Sequence, residues 1–214
     1  MTYLEIVNNV LRRLREREVA TVNESAYSKL IGDFVNDAKE EIENAWDWSH
    51  LRTTITATTT SGIFAYVLTD SGTRMKVLNV YNDTDNYEMS YRSSDRMTKD
   101  YLSSPASGSP RYYSFNGVDI NGDTIAEVYP KPNKEYLLRF NMVIRPGALT
   151  NDTDILYAPE RPTLMLAYAK AVEERGEDGG NSGLSAYATA NRVLNDTLAF
   201  DQAKHPEELI WTTP

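Results

Sequence analysis

The stretch from residue 23 to residue 48 has the pattern of a long amphipathic helix. Apolar residues recur in it every three or four positions, at Tyr27, Leu30, Ile31, Phe34, Ala38, Ile42, Ala45 and Trp46. This spacing places them on one helical face, while polar residues that include Lys39, Glu40 and Glu43 are expected to face water. Asn23 suits the cap position. A helix of this length spans roughly 35 Å and needs other helices to cover it.

Three further long helices are predicted, one before this stretch and two near the end of the chain. The first covers residues 2–17, with Thr2 as its cap and its apolar residues on one face. The later two cover residues 159–175 and 184–204, separated by the glycine-rich residues 176–183. Short connections favour antiparallel neighbours, so we expect two helical hairpins.

Between the hairpins the hydrophobic period changes from about 3.6 residues to 2, which predicts strands. The predicted strands cover residues 51–58, 63–68, 74–81, 87–91, 112–115, 118–120, 124–129 and 135–145, with a short helix over 93–102. Asn116-Gly117 and Asn121-Gly122 suit tight hairpin turns, because such turns require positive φ. Residues 111–145 are therefore expected to form an antiparallel meander.

This order of elements predicts an α+β protein in which the two helical hairpins close into a four-helix bundle. The bundle would comprise residues 1–50 and 155–205, and an antiparallel β domain, residues 51–154, would be inserted into it. Residues 206–214 would form an extended tail, in which Leu209, Ile210 and Trp211 have no partner element. Those apolar side chains must either fold back on the bundle or dock on another chain, and the sequence slightly favours docking.

Composition narrows the function classes. The 214 residues carry a formal net charge of −9, which argues against a protein that grips nucleic acid over its whole surface. The chain has no cysteine, so disulfides, thiolate metal sites and thiol catalysis are excluded. No apolar run approaches the length of a membrane span, so no membrane partner is expected. The fourteen tyrosines against five phenylalanines suggest interface surfaces, where tyrosine is favoured.

Candidate chemistry is sparse. His50 and His205 are the only side chains that titrate near neutral pH, and neither has a Ser, Asp or second His at a useful spacing. Glu40 and Glu43 resemble a catalytic carboxylate pair but are expected on the water-facing side of the helix. Asp83, Asp85, Asp152 and Asp154 do not continue into a calcium-loop pattern. We therefore predict no catalytic, cofactor or metal site, and expect that the protein is not an enzyme.

Two segments near the start of the chain resemble a known family. Phe34–Trp48 reads FVNDAKEEIENAWDW, and before it come Leu4, Val7, Asn8 and the run Val10–Glu16. These residues are similar to the head-to-tail adaptor proteins of short-tailed bacteriophages, which are related to the tail tubular protein A family. The β block and the last two helices match that family in order and length.

The resemblance implies a structural protein of the virion neck, assembled in the host cytoplasm. It implies a homo-oligomeric ring of twelve subunits that joins the portal protein to the tail nozzle or tube, with genomic DNA crossing its channel without sequence-specific binding. On this interpretation the ring would be built on the two long helices, through Tyr27, Asp33, Asp37, Glu40, Tyr187 and Asn191. The tail would dock on the portal or a neighbouring subunit through Pro206, Leu209, Ile210 and Trp211.

Three alternatives stay open at this point. The chain could be another tail component, such as a stopper or a tube-completion protein, with the same lack of chemistry. It could be a carbohydrate-active enzyme that uses acidic side chains and exposed tyrosines of the β domain, which would require a pair of carboxylates in a cleft. It could also be a cytosolic adaptor unconnected with viruses.

Overall fold

The computed structural model describes residues 1–103, 105–176 and 181–204, and in these ranges it contains five α-helices and eight strands. The chain divides into a helical unit, Met1–His50 with the described residues from 147 onward, and a β unit, Leu51–Pro146. The predicted α+β class is confirmed. The helices are α1 (Tyr3–Arg13), α2 (Ala26–Ala45), α3 (Ser94–Ser103), α4 (Glu160–Arg175) and α5 (Asn181–Gln202).

Helix α1 begins at the predicted cap. Glu5 N donates to Thr2 Oγ1 at 3.3 Å, and Thr2 N donates to Glu5 Oε2 at 2.7 Å, so the two residues form a capping box. The helix ends at Arg13, four residues before the predicted end. Arg15 adopts φ 60° and Glu16 N donates to Leu11 O, which closes the helix in a Schellman motif without glycine.

Helix α2 is shorter than predicted at both ends. Its N-cap is Ser25 instead of Asn23, because Ser25 Oγ accepts from Ser28 N at 3.0 Å. It ends at Ala45, since Trp46 adopts an extended backbone conformation. Ile31, Ala38 and Ile42 are buried as the spacing predicts.

Lys39 and Glu43 of α2 contradict the sequence interpretation. Both were expected to face water, but their side chains are 2% and 0% exposed. Lys39 Nζ lies 2.9 Å from Glu43 Oε1, one helical turn away. A charge in a protein interior is tolerated only when it is paired, and this pair meets that condition.

Helix α4 lies at the centre of the contacts among the helices of the helical unit. It packs against α1, α2 and α5, and α2 also packs against α1. Its buried alanines Ala167, Ala169 and Ala171 leave room for neighbouring backbones. Gly176 ends the helix in the left-handed region at φ 59°. These contacts join all four helices through α4 but do not establish the closed four-helix bundle that the sequence predicts.

Residues 147–156 are hydrogen-bonded within the helical unit. Leu149 N donates to Asn36 Oδ1 at 2.8 Å, and Asn36 Nδ2 donates to Leu149 O at 3.0 Å. Val22 N donates to Asp152 Oδ1 at 3.0 Å, and Tyr3 N donates to Asp154 O at 2.8 Å. The sequence interpretation had assigned residues up to 154 to the β domain, whereas their backbone is fixed by α2 and the start of α1.

The β unit consists of two four-stranded sheets around one core. The strands are β1 (Arg52–Thr58), β2 (Ala65–Val67), β3 (Met75–Asn82), β4 (Tyr87–Glu88), β5 (Ser90–Tyr91), β6 (Tyr112–Val118), β7 (Thr124–Tyr129) and β8 (Leu137–Ile144). One sheet has the order β1-β8-β3-β4 and the other β2-β7-β6-β5. Leu138 and Phe140 of the first sheet share the core with Ala126 and Val128 of the second.

The predicted antiparallel meander over residues 111–145 is wrong in two respects. Strand β8 leaves the sheet of β6 and β7 and pairs between β1 and β3. Asn116-Gly117 lies inside β6, where Gly117 at φ 81° forms a bulge and not a hairpin turn. Asn121-Gly122 does lie in the turn, which Asp119 N closes by donating to Asp123 O at 2.8 Å. The pairing of β5 with β6 is parallel, because α3 provides the crossover between them.

Candidate assembly surfaces

Helix α5 buries few of its residues in the helical unit. Of its twenty-two residues, those that are fully buried are Gly183, Ala190, Val193 and Asp201. Another set of five residues follows one exposed stripe along the helix at intervals of three or four: Leu184, Ala188, Asn191, Asn195 and Ala199. None of these five side chains carries a charge, and Leu184 is 72% exposed. We refer to these residues as the uncharged stripe of α5.

An uncharged stripe of this kind is suited to helix packing. Its two alanines would let another backbone approach closely, and its two asparagines could donate and accept hydrogen bonds across a contact. A solvated helix face usually carries charges, as the exposed side of α2 does. The stripe is therefore a candidate contact surface, flanked by the exposed charges of Arg192 and Asp196.

The predicted ring residues of α2 divide into two kinds. Asp33, Asp37 and Glu40 are exposed and follow one another along the helix surface. Tyr27 is half-buried, and its hydroxyl accepts a hydrogen bond from Arg175 Nε at 2.9 Å. The carboxylates thus lie on the surface, whereas the tyrosine hydroxyl is occupied by α4.

The predicted ring residues of α5 divide in the same way. Asn191 is exposed and belongs to the uncharged stripe. Tyr187 is half-buried, and its hydroxyl donates to Glu173 Oε2 at 2.7 Å. Burial and the neighbouring Glu173 carboxylate raise the pKa of Tyr187 to about 12, so this phenol stays a hydrogen-bond donor. The predicted residues of α2 and α5 lie on two helices that both pack against α4.

The predicted docking residues Pro206, Leu209, Ile210 and Trp211 lie outside the described residues, as does His205. The last described residues of the chain end α5 beside a small cleft that the sequence does not indicate. The cleft has a volume of about 230 Å³, and its aromatic walls are Trp48, His50 and Phe200. Its walls come from segments about 150 residues apart in the chain, so sequence spacing gives no signal for it.

Asp201 ties the two sides of this cleft together. Its carboxylate accepts hydrogen bonds from Ser49 N at 3.0 Å and from Ser49 Oγ at 2.7 Å, and Lys204 Nζ lies 3.1 Å away. Burial raises the pKa of the Asp201 carboxyl, but the hydrogen bonds from Ser49 and the contact with Lys204 outweigh burial and leave a pKa of about 2. Asp201 is therefore ionised at neutral pH, and its role in the cleft is structural.

The described residues contain no arrangement typical of catalysis. Burial lowers the pKa of His50, and its ring lies 6.0 Å from that of Trp48, next to Asp201 and Lys204. Glu43 is paired with buried Lys39 while Glu40 is exposed, so they do not form a carboxylate pair in a cleft. Within residues 1–103, 105–176 and 181–204, no group of three or more His, Asp or Glu side chains could hold a metal ion.

Comparison of the sequence with known protein families identifies the family of this chain. The model of the SU10 adaptor protein family matches residues 1–207. The chain belongs to the SU10 adaptor protein family. No curated protein sequence matches the chain. In the part of the chain that the structure describes, no helix is long and apolar enough to cross a membrane.

Family membership supports the class that the sequence resemblance implies, a phage head-to-tail adaptor, and with it a structural protein of the virion neck. It implies a non-enzymatic role. It does not support the narrower resemblance to the tail tubular protein A family of short-tailed phages. The chain is therefore assigned to the SU10 adaptor protein family and not to the tail tubular protein A family.

Proposed function

We propose that this protein is a head-to-tail adaptor that assembles into a ring between the portal and the tail of a phage. The proposal starts from membership of the SU10 adaptor protein family over nearly the whole chain. Helices α1, α2, α4 and α5 would close into a four-helix bundle in each subunit, and the bundles would pack side by side. The β unit would provide contacts to the next tail component, the nozzle or tube protein.

The observation that carries the ring is the uncharged stripe of α5. Leu184 exposes 72% of its surface on a helix that buries few of its own residues. Burial of such apolar area against a neighbour stabilises an interface by roughly 25 cal/mol per Å². Asn191 would contribute hydrogen bonds at the centre of the same interface. The exposed carboxylates Asp33, Asp37 and Glu40 would lie outside it and remain in water.

The net charge supports the passage of DNA through such a ring. Twelve copies at −9 each carry a formal charge of about −108. An acidic channel wall repels the phosphate backbone, so DNA would slide through without adhering. The exposed carboxylates of α2 are part of this charge. Twelve subunits is the number that the adaptor resemblance implies, and mass measurement of the ring tests it.

The tail supplies the proposed contact with the portal. Leu209, Ile210 and Trp211 form a short apolar run after Pro206, and large apolar side chains, Trp above all, dominate the binding energy of many interfaces. We place these residues against the portal or a neighbouring subunit in the assembled ring, either as an added strand or with Trp211 seated in a pocket.

The mass of the assembled particle tests the contact between subunits separately from the contact between the tail and the portal. Ala188→Arg puts a charge in the centre of the uncharged stripe, and Ser185→Arg puts the same charge on the exposed flank, three residues away. We expect Ala188→Arg to stay monomeric when mixed with the portal of the same phage, whereas Ser185→Arg assembles like the wild-type protein. Both variants should keep the circular dichroism spectrum and melting temperature of the wild type. A ring of normal mass from Ala188→Arg would contradict the assignment of the stripe.

Deletion of residues 206–214 is measured in the same way. We expect the shortened protein to fold normally but to lose its attachment to the portal. If it still joins portal particles with wild-type occupancy, the assignment of the tail is wrong, while the assignment of the stripe stands on its own result.

A further inference from the structure

The cleft at the end of α5 has apolar walls, and the paired side chains of Lys204 and Asp201 lie beside them. Trp48 forms a fixed wall, because it is 1% exposed and its Nε1 donates to Ile42 O at 2.7 Å. Phe200 also lines the cleft and exposes 77% of its surface. Lys204, whose side chain is 61% exposed, lies at the rim. Because Asp201 already balances the charge of Lys204, such a site favours an apolar side chain.

The walls of the cleft are held in place before anything binds. The bonds from Ser49 to Asp201 join the turn after α2 to the last turn of α5. The carboxylate of Asp201 is already engaged by Ser49 and Lys204, so the apolar walls determine what the cleft can bind. At about 230 Å³ the cleft is smaller than the roughly 300–1,000 Å³ of drug-sized ligand sites. Its volume fits a single large side chain better than a metabolite.

The chain itself carries a segment with this chemistry within reach. Glu207 and Glu208 are followed directly by Leu209, Ile210 and Trp211. Trp211 is seven residues after Lys204, a rim residue of the cleft, and seven residues span at most about 25 Å. Pro206 cannot continue α5 in a regular way, so a change of direction is favoured there.

We propose that in the free subunit residues 207–211 fold back onto their own helical unit and seat Trp211 in the cleft between Trp48, His50 and Phe200. One tethered contact would cover two sets of apolar side chains, Phe200 on α5 and Leu209–Trp211 on the tail. Because the segment is tethered, its effective concentration at the cleft is in the millimolar range, so a weak contact suffices. The contact concerns the subunit before assembly, and holds whether or not the tail later binds the portal.

Disulfide trapping tests this contact cleanly, because the natural chain has no cysteine. Thr197 lines the cleft on α5, and Thr212 follows Trp211, so Thr197→Cys/Thr212→Cys leaves all the proposed contact residues in place. The matched control is Asn195→Cys/Thr212→Cys, since Asn195 is exposed on the opposite side of α5 two residues away. Both proteins are oxidised at low concentration and analysed by non-reducing electrophoresis and peptide mass mapping.

We expect the Thr197 pair to form an intramolecular bond at least about five-fold more efficiently than the Asn195 pair, as tethering to a nearby site requires. Equal efficiency of the two pairs would overturn the proposal, and so would bonds that link two chains, because the occupant would then be the tail of a second copy. Neither result would affect the assembly tests of the ring.

A second measurement does not depend on cysteine. The fluorescence of Trp211, obtained as the difference between the wild-type protein and Trp211→Phe, should be protected from acrylamide in the free subunit. Phe200→Ala removes one wall of the cleft and should increase this quenching, whereas Leu184→Ala at the far end of α5 should not. Quenching of Trp211 that is already at the level of a solvent-exposed indole in the wild-type protein would overturn the proposal.

Discussion

Helices α2 and α5 have nearly equal lengths, twenty and twenty-two residues, but they are packed very differently. Helix α2 buries eight residues, including an ion pair, and its exposed side carries several carboxylates. Helix α5 buries four residues, and its uncharged stripe is exposed over most of its length. The exposed side of α2 is thus rich in carboxylates, whereas α5 exposes an uncharged stripe beside Arg192 and Asp196.

The difference indicates that α2 serves the folding of the subunit and that the stripe of α5 serves assembly. Residues of α2 determine whether a subunit folds, because Ile31, Val35, Ala38 and Ile42 lie in the core with exposures of 1% or less. Residues on the stripe of α5 contribute little to the folded subunit and are available for assembly. Substitutions inside α2 should therefore change the free energy of unfolding, while substitutions on the stripe should change the mass of the assembled particle.

The largest effect is expected at the buried ion pair of α2. Lys39→Met removes the ammonium group that lies 2.9 Å from the buried Glu43 carboxylate, and should lower the free energy of unfolding by about 3–5 kcal/mol. Lys39→Met/Glu43→Leu removes both charges and should recover most of that loss. Urea unfolding followed by circular dichroism measures both. Lys29→Met, at an exposed position of the same helix, is the control, with an expected change within about 0.5 kcal/mol. A double variant as unstable as Lys39→Met would contradict this account.

A smaller effect is expected where α2 approaches the start of the chain most closely. A Cβ at Gly32 would collide with Tyr3 Oη and would lie 2.9 Å from Val22 Cγ1. Gly32→Ala should therefore destabilise by about 1–3 kcal/mol through overpacking, although alanine is the better helix former. Gly183→Ala on α5 is the matched control, because its Cβ would meet Glu173 at an ordinary 3.6 Å.

The control variant Gly183→Ala should be neutral or stabilising by up to about 1 kcal/mol. Thermal unfolding of the two variants gives the comparison directly. If both glycines tolerate alanine equally, the contact between Tyr3 and α2 is looser than the structure indicates, and the contrast between the two helices is reduced.

The smallest of the three effects concerns Asp201, the buried charge of α5. Its folded pKa of about 2 lies below the ordinary value of 3.8, so its stabilisation is present above about pH 4 and is lost as pH falls towards 2. Asp201→Asn should lower the free energy of unfolding by about 1–2 kcal/mol at pH 6. The difference between variant and wild type should shrink between pH 4 and pH 2 in a series of urea titrations.

Exposed Asp196 on the same helix provides the comparison for this pH series. Asp196→Asn should stay within about 0.5 kcal/mol of the wild-type protein at pH 6. A difference between Asp201→Asn and wild type that does not change with pH would show that shape, and not the charge of Asp201, holds the turn at Ser49 against α5.

Periodicity in the sequence predicted the helices well because their apolar spacing is regular, as Ile31, Ala38 and Ile42 illustrate. It failed at Lys39 and Glu43, since a charged residue is normally solvated and only the packing of α1 and α4 around α2 could show otherwise. Asn116-Gly117 suits a turn and a bulge equally, because both use positive φ, and the pairing of β6 with β7 decided between them. The sequence places Leu149 and Asp152 in the β domain, whereas they belong to the helical unit. Their hydrogen bonds are to residues more than a hundred positions away, which no local pattern in the sequence can indicate.

Helix α2 depends on partners that are synthesised much later than α2 itself. Its Asn36 accepts a hydrogen bond from Leu149 N, and its apolar side packs on α4. The helix that covers α2 is translated only after the whole β unit, about 110 residues later, which takes on the order of 5–20 s. During that interval the apolar side of α2 has no α4 to cover it, and by its end all strands of the two sheets have been translated. The helical unit is therefore completed only after the β unit.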